Sequence, residues 1–224
     1  MSSARYSDPL WTTRAWRGLH VSADVGPAHV VLASSSEARQ AMLRRAGVSF
    51  VYDPAAIDED AVRLQAEAAG MSVAATALAL AEAKARTVAA RQADALVLGA
   101  DQMLSCRGRI FTKPDDLDAA EATLRALRGR THRLISAAVI VRGKAMVWSR
   151  VETARLTMRS FSDAFLHQYL AETAAGALSS VGVYRVEGAG IQLFSDIDGD
   201  HSTILGLPLL PLLAFFRSEG ILPQ

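Results

Sequence analysis

From residue 29 onward the chain alternates between short continuous apolar runs and longer stretches in which apolar residues recur every three or four positions. Apolar runs bounded by turn residues read as buried strands, and the three-to-four repeat reads as helices packed on them. His29–Ala33 is the first such run. Ser34-Ser35-Ser36 then opens a helix from about Ser36 to Ala46, which Gly47 ends. Serine is a strong N-cap, and Glu37 in the first turn suits the helix dipole. A short strand, Ser49–Tyr52, precedes a helical stretch that opens on Ile57-Asp58-Glu59-Asp60 and runs to about Ala69, where Gly70 breaks it. Ser72–Arg91 reads as a long alanine-rich helix. Ala95–Leu98 reads as a fully buried strand, followed by a hairpin turning at Arg107-Gly108. Asp116–Leu127 is helical, and Thr131–Val141 and Ala145–Met158 are long strands joined at Arg142-Gly143-Lys144. A helix over Ser162–Glu172, short strand candidates at Gly182–Val186 and Ile191–Phe194, and an apolar helix over Pro208–Ser218 complete the pattern.

Parallel-type strands with crossover helices in the first half thus give way to antiparallel hairpins in the second. The expected fold is α/β: a two-lobed mixed sheet with flanking helices and a central cleft as the natural ligand site. Half of the 224 residues are hydrophobic, which suffices for a sizeable core, yet no apolar run reaches bilayer length. The net charge of +1 gives no general attraction to nucleic acid or to an anionic membrane, and neither is expected as a partner. A single cysteine, Cys106, excludes an internal disulfide and a thiolate zinc cluster, and leaves a cytoplasmic location as the default. Residues 1–28 carry Arg5, Arg14 and Arg17 with few acids, no clear period and no apolar segment of the secretory type. They are expected to be a disordered N-terminal extension, with the folded unit spanning 29–224.

The chemistry concentrates around Leu98-Gly99-Ala100-Asp101-Gln102. In open α/β sheets ligands bind beyond the carboxyl ends of strands, and Asp101 is expected at such an end. Lys113-Pro114 follows the short apolar pair Ile110-Phe111, so an acid and a base on neighbouring segments point to a phosphorylated, metal-bound substrate. The competing reading makes Asp101 a turn cap and Lys113 a solvated loop lysine. Ser34-Ser35-Ser36 places hydroxyls and free N–H groups at a helix start, a ready anion site, with Arg39 one turn in on the side of Ser35 and Ser36. On the long helix, Val73, Ala77, Leu80 and Val88 form an apolar stripe, and Lys84 falls in its middle, where it must snorkel out, pair or point into a cleft. Glu59 sits in an acidic trio that suits a helix start. Together with Asp101 it has the donor chemistry for Mg²⁺, which takes carboxylates, phosphate oxygens and water. Glu187, between two strand-like segments, is either solvated or faces a base pocket. There a carboxylate would accept hydrogen bonds from guanine N1 and N2 and favour a cationic, N7-methylated guanine.

Other constellations are missing. The sequence has no GxxxxGK[ST] loop, no GxSxG elbow and no HExxH spacing among its five histidines. Gly188-Ala189-Gly190 lacks the third glycine and the preceding context of a dinucleotide fingerprint.

The order of the remaining pieces resembles the Maf family of nucleoside triphosphate pyrophosphatases from about Val30 to the end. The matching elements are Leu32-Ala33-Ser34-Ser35-Ser36-Glu37-Ala38-Arg39, Ile57-Asp58-Glu59, Ala81-Glu82-Ala83-Lys84-Ala85, Gly99-Ala100-Asp101, Lys113-Pro114, Leu127-Arg128-Gly129-Arg130-Thr131-His132 and Gly206-Leu207-Pro208-Leu209. The resemblance implies hydrolysis of a nucleoside triphosphate to monophosphate and pyrophosphate with Mg²⁺ or Mn²⁺. It implies the two-lobed fold shared with inosine triphosphate pyrophosphatases, and a homodimer. It places the general base on Asp101 and the phosphate- and metal-handling positions on Ser34, Arg39, Glu59, Lys84 and Lys113. Pyrimidine-specific members tend to show Asp-Thr and Gln-Gly where this chain has Asp101-Gln102 and Glu187-Gly188, a pattern similar to the branch acting on 7-methyl-GTP. The usual Pro-Arg or Pro-Trp is replaced by Glu37-Ala38, so Ala38, Gln102 and Glu187 are the expected specificity positions. Maf proteins are also associated with arrest of septum formation, so a regulatory nucleotide-binding protein is the alternative.

Overall fold

Local capping chemistry starts most of the helices. Ser36, Asp58, Ser72, Asp116 and Ser162 each accept a hydrogen bond from a backbone N–H of the first turn that follows. In the computed structural model, which describes residues 30–224, the order is β1 (Val30–Leu32), α1 (Glu37–Arg45), β2 (Val51–Tyr52), α2 (Glu59–Ala68), α3 (Val73–Ala89), β3 (Leu96–Cys106), β4 (Arg109–Phe111) and α4 (Leu117–Leu127). There follow β5 (Thr131–Arg142), β6 (Ala145–Met158), α5 (Asp163–Ala177), β7 (Phe194–Asp198), α6 (His201–Ile204) and α7 (Leu209–Ser218). The expected disordered extension, and His29 of the first expected strand, lie outside the described residues.

The strands form one 7-stranded sheet in the order β2-β1-β3-β5-β6-β7, with β4 also on β3. β1 runs parallel to β2 and β3, and all other pairings are antiparallel. The mixed architecture expected from the sequence is therefore present. α3 covers one face of the sheet through Ala77, Leu80, Ala81, Ala85 and Val88, packed with Val97 and Met103. α1 and α7 cover the other face through Met42, Leu43, Leu212 and Phe216, packed with Leu98 and Ala100. α4 and α5 pack with the far ends of β3, β5 and β6 in a third apolar cluster, which forms the second lobe.

Two expectations are corrected. The strand at Ala95–Leu98 does not end where Asp101 begins. β5 pairs with β3 continuously from Leu96 to Ser105, and this ladder carries the strand through Asp101. The other edge of β3 is interrupted instead. β1 pairs with it only as far as Leu98, and β4 only from Leu104. The interval from Gly99 to Met103 is a notch just beyond the carboxyl end of β1, so Asp101 sits mid-strand and still at the mouth of a cleft. The strand candidates Gly182–Val186 and Ile191–Phe194 are not strands. Val183 has φ +63°, and Ala189–Leu193 is a 3₁₀ turn. Val183, Tyr184, Val186 and Leu193 are buried because this irregular segment wedges into the second lobe's core. The real edge strand, β7, pairs with β6 from Arg155 to Met158 and is rich in polar residues, which erased its apolar signal.

Candidate active site

The alternation of β3 sends Gly99, Asp101 and Met103 toward α3, and Ala100 and Gln102 to the opposite face. Gly99 sets the separation. A Cβ there would stand 2.0 Å from the Ala81 carbonyl oxygen and 2.8 Å from the Ala85 nitrogen. With no Cβ in the way, α3 lies close enough to bring Lys84 onto Asp101. The Lys84 ammonium donates to Asp101 Oδ1 at 2.7 Å and lies 2.8 Å from Glu59 Oε1. It neither snorkels nor joins the apolar stripe; it bridges two carboxylates. The acidic trio divides its work: Asp58 caps α2, Asp60 pairs with Arg63 outside, and Glu59 turns inward between Arg63 and Lys84. Burial raises the Glu59 pKa, but Lys84 and Arg63 outweigh it and hold the carboxyl below its ordinary value. Asp101 Oδ2 is buried and has no hydrogen-bond partner among the described residues.

The start of α1 forms the adjoining wall. Ser34 Oγ accepts from the Ser36 N–H and from Arg39 Nη1, each at 3.2 Å, and Arg39 Nε donates to the Gly206 carbonyl at 2.9 Å. Arg39 is thus a buried arginine tied to Ser34 rather than to Ser35. Burial lowers its pKa while the charges of Asp101 and Glu59 oppose that, and a guanidinium stays protonated throughout. Gly206, at φ +101°, lies against the Arg39 guanidinium, which explains why a glycine is needed there. Gln102 donates through Nε2 toward Ser136 Oγ and the carbonyls of Thr203 and Ile204, all at 3.0 Å. Its amide nitrogen therefore anchors α6 rather than reaching into open space.

A cleft of about 1030 Å³ collects these groups. Ser34, Ala38, Arg39, Glu59, Lys84, Asp101, Gln102, Lys113 and Glu187 all line it. Lys113 and Glu187 are exposed and have no ion-pair partner among the described residues. These nine candidates from the sequence therefore meet in one groove. Sequence reasoning missed the lining residues Arg63, Tyr184 and Arg185, and also Ser136, which anchors Gln102. None of these lies in a recognisable spacing, and only the fold brings them in. No cluster of three or more His, Cys, Asp or Glu side chains suited to a metal occurs among the described residues. Nor is any helix among them long and apolar enough to cross a membrane.

The Maf-like protein family matches residues 29–219. The chain belongs to the Maf family. A Rhizobium meliloti relative named 7-methyl-GTP pyrophosphatase is 51% identical over 85% of this chain and 96% of its own length. A Granulibacter bethesdensis relative named nucleoside triphosphate pyrophosphatase is 48% identical over 86% of this chain and 98% of its own. A Mycobacterium abscessus dITP/XTP pyrophosphatase structure shows a distant likeness, at 14% identity and TM-score 0.40 over 87% of this chain. Both relatives' names describe pyrophosphatases, and of the two the Rhizobium meliloti name alone specifies a base. In this Maf chain the segments 32–39, 57–59, 81–85, 99–101 and 113–114 each bring at least one side chain to the cleft, whereas 127–132 and 206–209 lie outside its lining.

Proposed function

We propose that the protein is a nucleoside triphosphate pyrophosphatase that clears modified nucleotides of the 7-methyl-GTP type, yielding monophosphate and pyrophosphate. The observation that carries the reading is the Asp101 carboxylate, with its buried Oδ2 unpartnered among the described residues, in the lining of a cleft that also holds Arg39, Lys84 and Lys113. In this reading Asp101 takes a proton from the attacking water. The water oxygen bonds to the α-phosphorus, the α–β bridging bond breaks, and pyrophosphate departs. Lys84 has three N–H donors and spends two on Asp101 and Glu59, so the third faces the phosphates. Lys113 and Arg39 neutralise the departing charge, the term that dominates phosphoryl chemistry. Ser34 orients Arg39, and Ala38, Gln102 and Glu187 shape the base end.

Glu59 and Asp101 are the residues that would hold a divalent cation, Mg²⁺ or Mn²⁺. Two carboxylates with phosphate oxygens and water make a fitting donor set for such an ion, and an Asp101 Oδ2 engaged in that way would not also be the proton acceptor. The cation's contribution when bound is further neutralisation of phosphate charge. A cytoplasmic homodimer completes the reading. The alternative, a regulatory nucleotide-binding protein acting in septum formation, is disfavoured: a binder has no use for a buried carboxylate poised for proton transfer, and the relatives carry pyrophosphatase names.

The test is pyrophosphate release from a panel of nucleoside triphosphates and 7-methyl-GTP, with EDTA and with added Mg²⁺ or Mn²⁺. Metal-dependent release with monophosphate as co-product is expected. Saturable nucleotide binding without monophosphate would establish the regulatory reading instead.

A further inference from the structure

His132 and Tyr184 lie 52 positions apart in sequence and meet in the interior of the second lobe. The imidazole is 1% exposed and the phenol ring 4%. Nε2 and the phenolic oxygen are 2.6 Å apart, and His132 Nδ1 has no partner among the described residues, so this is the ring's one hydrogen bond. Neither residue takes part in the hydrolytic scheme above. The two ends of the bond are unequal, however. His132 belongs to β5, a strand paired on both edges, whereas Tyr184 belongs to the irregular segment whose next three residues, Arg185, Val186 and Glu187, form a wall of the cleft.

That segment has no strand or helix hydrogen-bonding pattern to fix it, and its backbone is strained. Val183 is β-branched and sits at φ +63°, a conformation that persists only where surroundings impose it. Two tyrosine hydroxyls impose it from either side. Tyr169 donates to the Val183 carbonyl at 3.0 Å, and Tyr184 engages His132. The chain then folds closely around the Tyr184 side chain. A Cβ on Gly182 would lie 2.2 Å from its ring, and one on Gly190 would lie 3.0 Å from its Cβ. The ring also stands edge-on to Phe194 at 4.8 Å, at the start of β7.

We propose that the His132–Tyr184 hydrogen bond is the tether that sets the height and orientation of the Tyr184–Glu187 wall, making His132 a positioning residue for substrate affinity and base selectivity. This rests on the reading of the cleft as the nucleotide site. The polar partners of a buried pair differ from packing in one respect that an experiment can exploit. Removing one leaves the other unsatisfied, whereas replacing both by apolar groups of similar shape is nearly neutral for stability.

The experiment measures kcat, KM and thermal midpoint for Tyr184→Phe, His132→Gln, and the double variant Tyr184→Phe/His132→Leu, with 7-methyl-GTP and UTP as substrates. Tyr184→Phe deletes a single oxygen and is expected to raise KM about three- to tenfold, the fold-change of a lost hydrogen bond, with kcat within about twofold. His132→Gln keeps a polar atom within reach of the phenol and is expected to retain most of the affinity. The double variant is expected to recover stability while KM stays raised. Recovery of KM along with stability, or a fall in kcat at constant KM in Tyr184→Phe, would overturn the tether. Glu187→Gln separates the two layers of the argument. If it compresses the 7-methyl-GTP preference while Tyr184→Phe leaves KM unchanged, the tether fails and base reading by Glu187 stands. If Tyr184→Phe raises KM for both substrates while Glu187→Gln leaves the preference intact, the tether stands and base reading fails.

Discussion

An ammonium held between two carboxylates, as Lys84 is between Glu59 and Asp101, sets one cation against two acids in the cleft wall. This is why Asp101→Asn is an informative substitution: the amide oxygen still accepts from Lys84, and Glu59 still balances its charge. The variant is expected to retain its thermal midpoint within a few degrees while kcat/KM for pyrophosphate release falls about 10²- to 10⁴-fold, the span for a lost general base. Turnover near that of the parent protein would remove Asp101 from the mechanism. Glu187→Gln is expected to weaken guanine-type substrates more than pyrimidine ones, read as the ratio of their kcat/KM values. At this scale the sequence was most legible where a polar residue violated an apolar period. Lys84 interrupts the stripe of α3, and the fold resolves that violation by pairing it. Arg39 and Gln102 were legible as candidates and both line the cleft, but most of their partners were not legible. Gly206, Ser136 and Thr203 lie far from them in the chain and reach them only through tertiary packing.

Between elements, the contact of α3 with β3 carries the geometry of the site. Gly99 is the point of closest approach, so Gly99→Ala forces a methyl group against the backbone of α3, which cannot rotate away. The expected cost is about 3 kcal/mol in denaturant unfolding, at the upper end for overpacking. Activity is expected to fall further than stability alone explains, because Lys84 shifts off Asp101. Parent-like stability in that variant would mean that the helix is not seated as described. The strands and helices with clear periodicity, β5, β6, α3 and α7, were readable in advance to within a few residues. The segment between α5 and β7 was not. Its buried apolar residues imitate strands, yet glycine contacts at Gly182 and Gly190 fold it into a wedge. β7 escaped notice for the opposite reason, since an edge strand with Ser195, Asp196 and Asp198 shows no apolar face.

For the molecule as a whole, His132 predicts how stability follows pH. Burial lowers its pKa from 6.5 to about 4, so between those values the unfolded chain binds the proton that the folded chain refuses. Stability therefore rises with pH across this window and levels above it. The loss on going from pH 7 to pH 4 is about 3 kcal/mol. Carboxylates whose pKa is lowered, such as Glu59, begin to lose their stabilising contribution as pH falls through their ordinary value of 4.5, so the part of the window above about pH 5 reports His132 and the acid end reports both. Thermal midpoints recorded from pH 4 to pH 8 are expected to show the His132 slope in the parent protein and a flatter one in His132→Gln. Equal slopes would assign the effect elsewhere.

The gap between β1 and β4 along β3 has a different kind of consequence. On that edge the peptide groups of Gln102 have no neighbouring strand to bond, and Gln102 is part of the groove lining. Main-chain donors and acceptors survive every side-chain exchange. A contact made there to a ligand's polar edge would therefore persist in a variant stripped of its charged side chains.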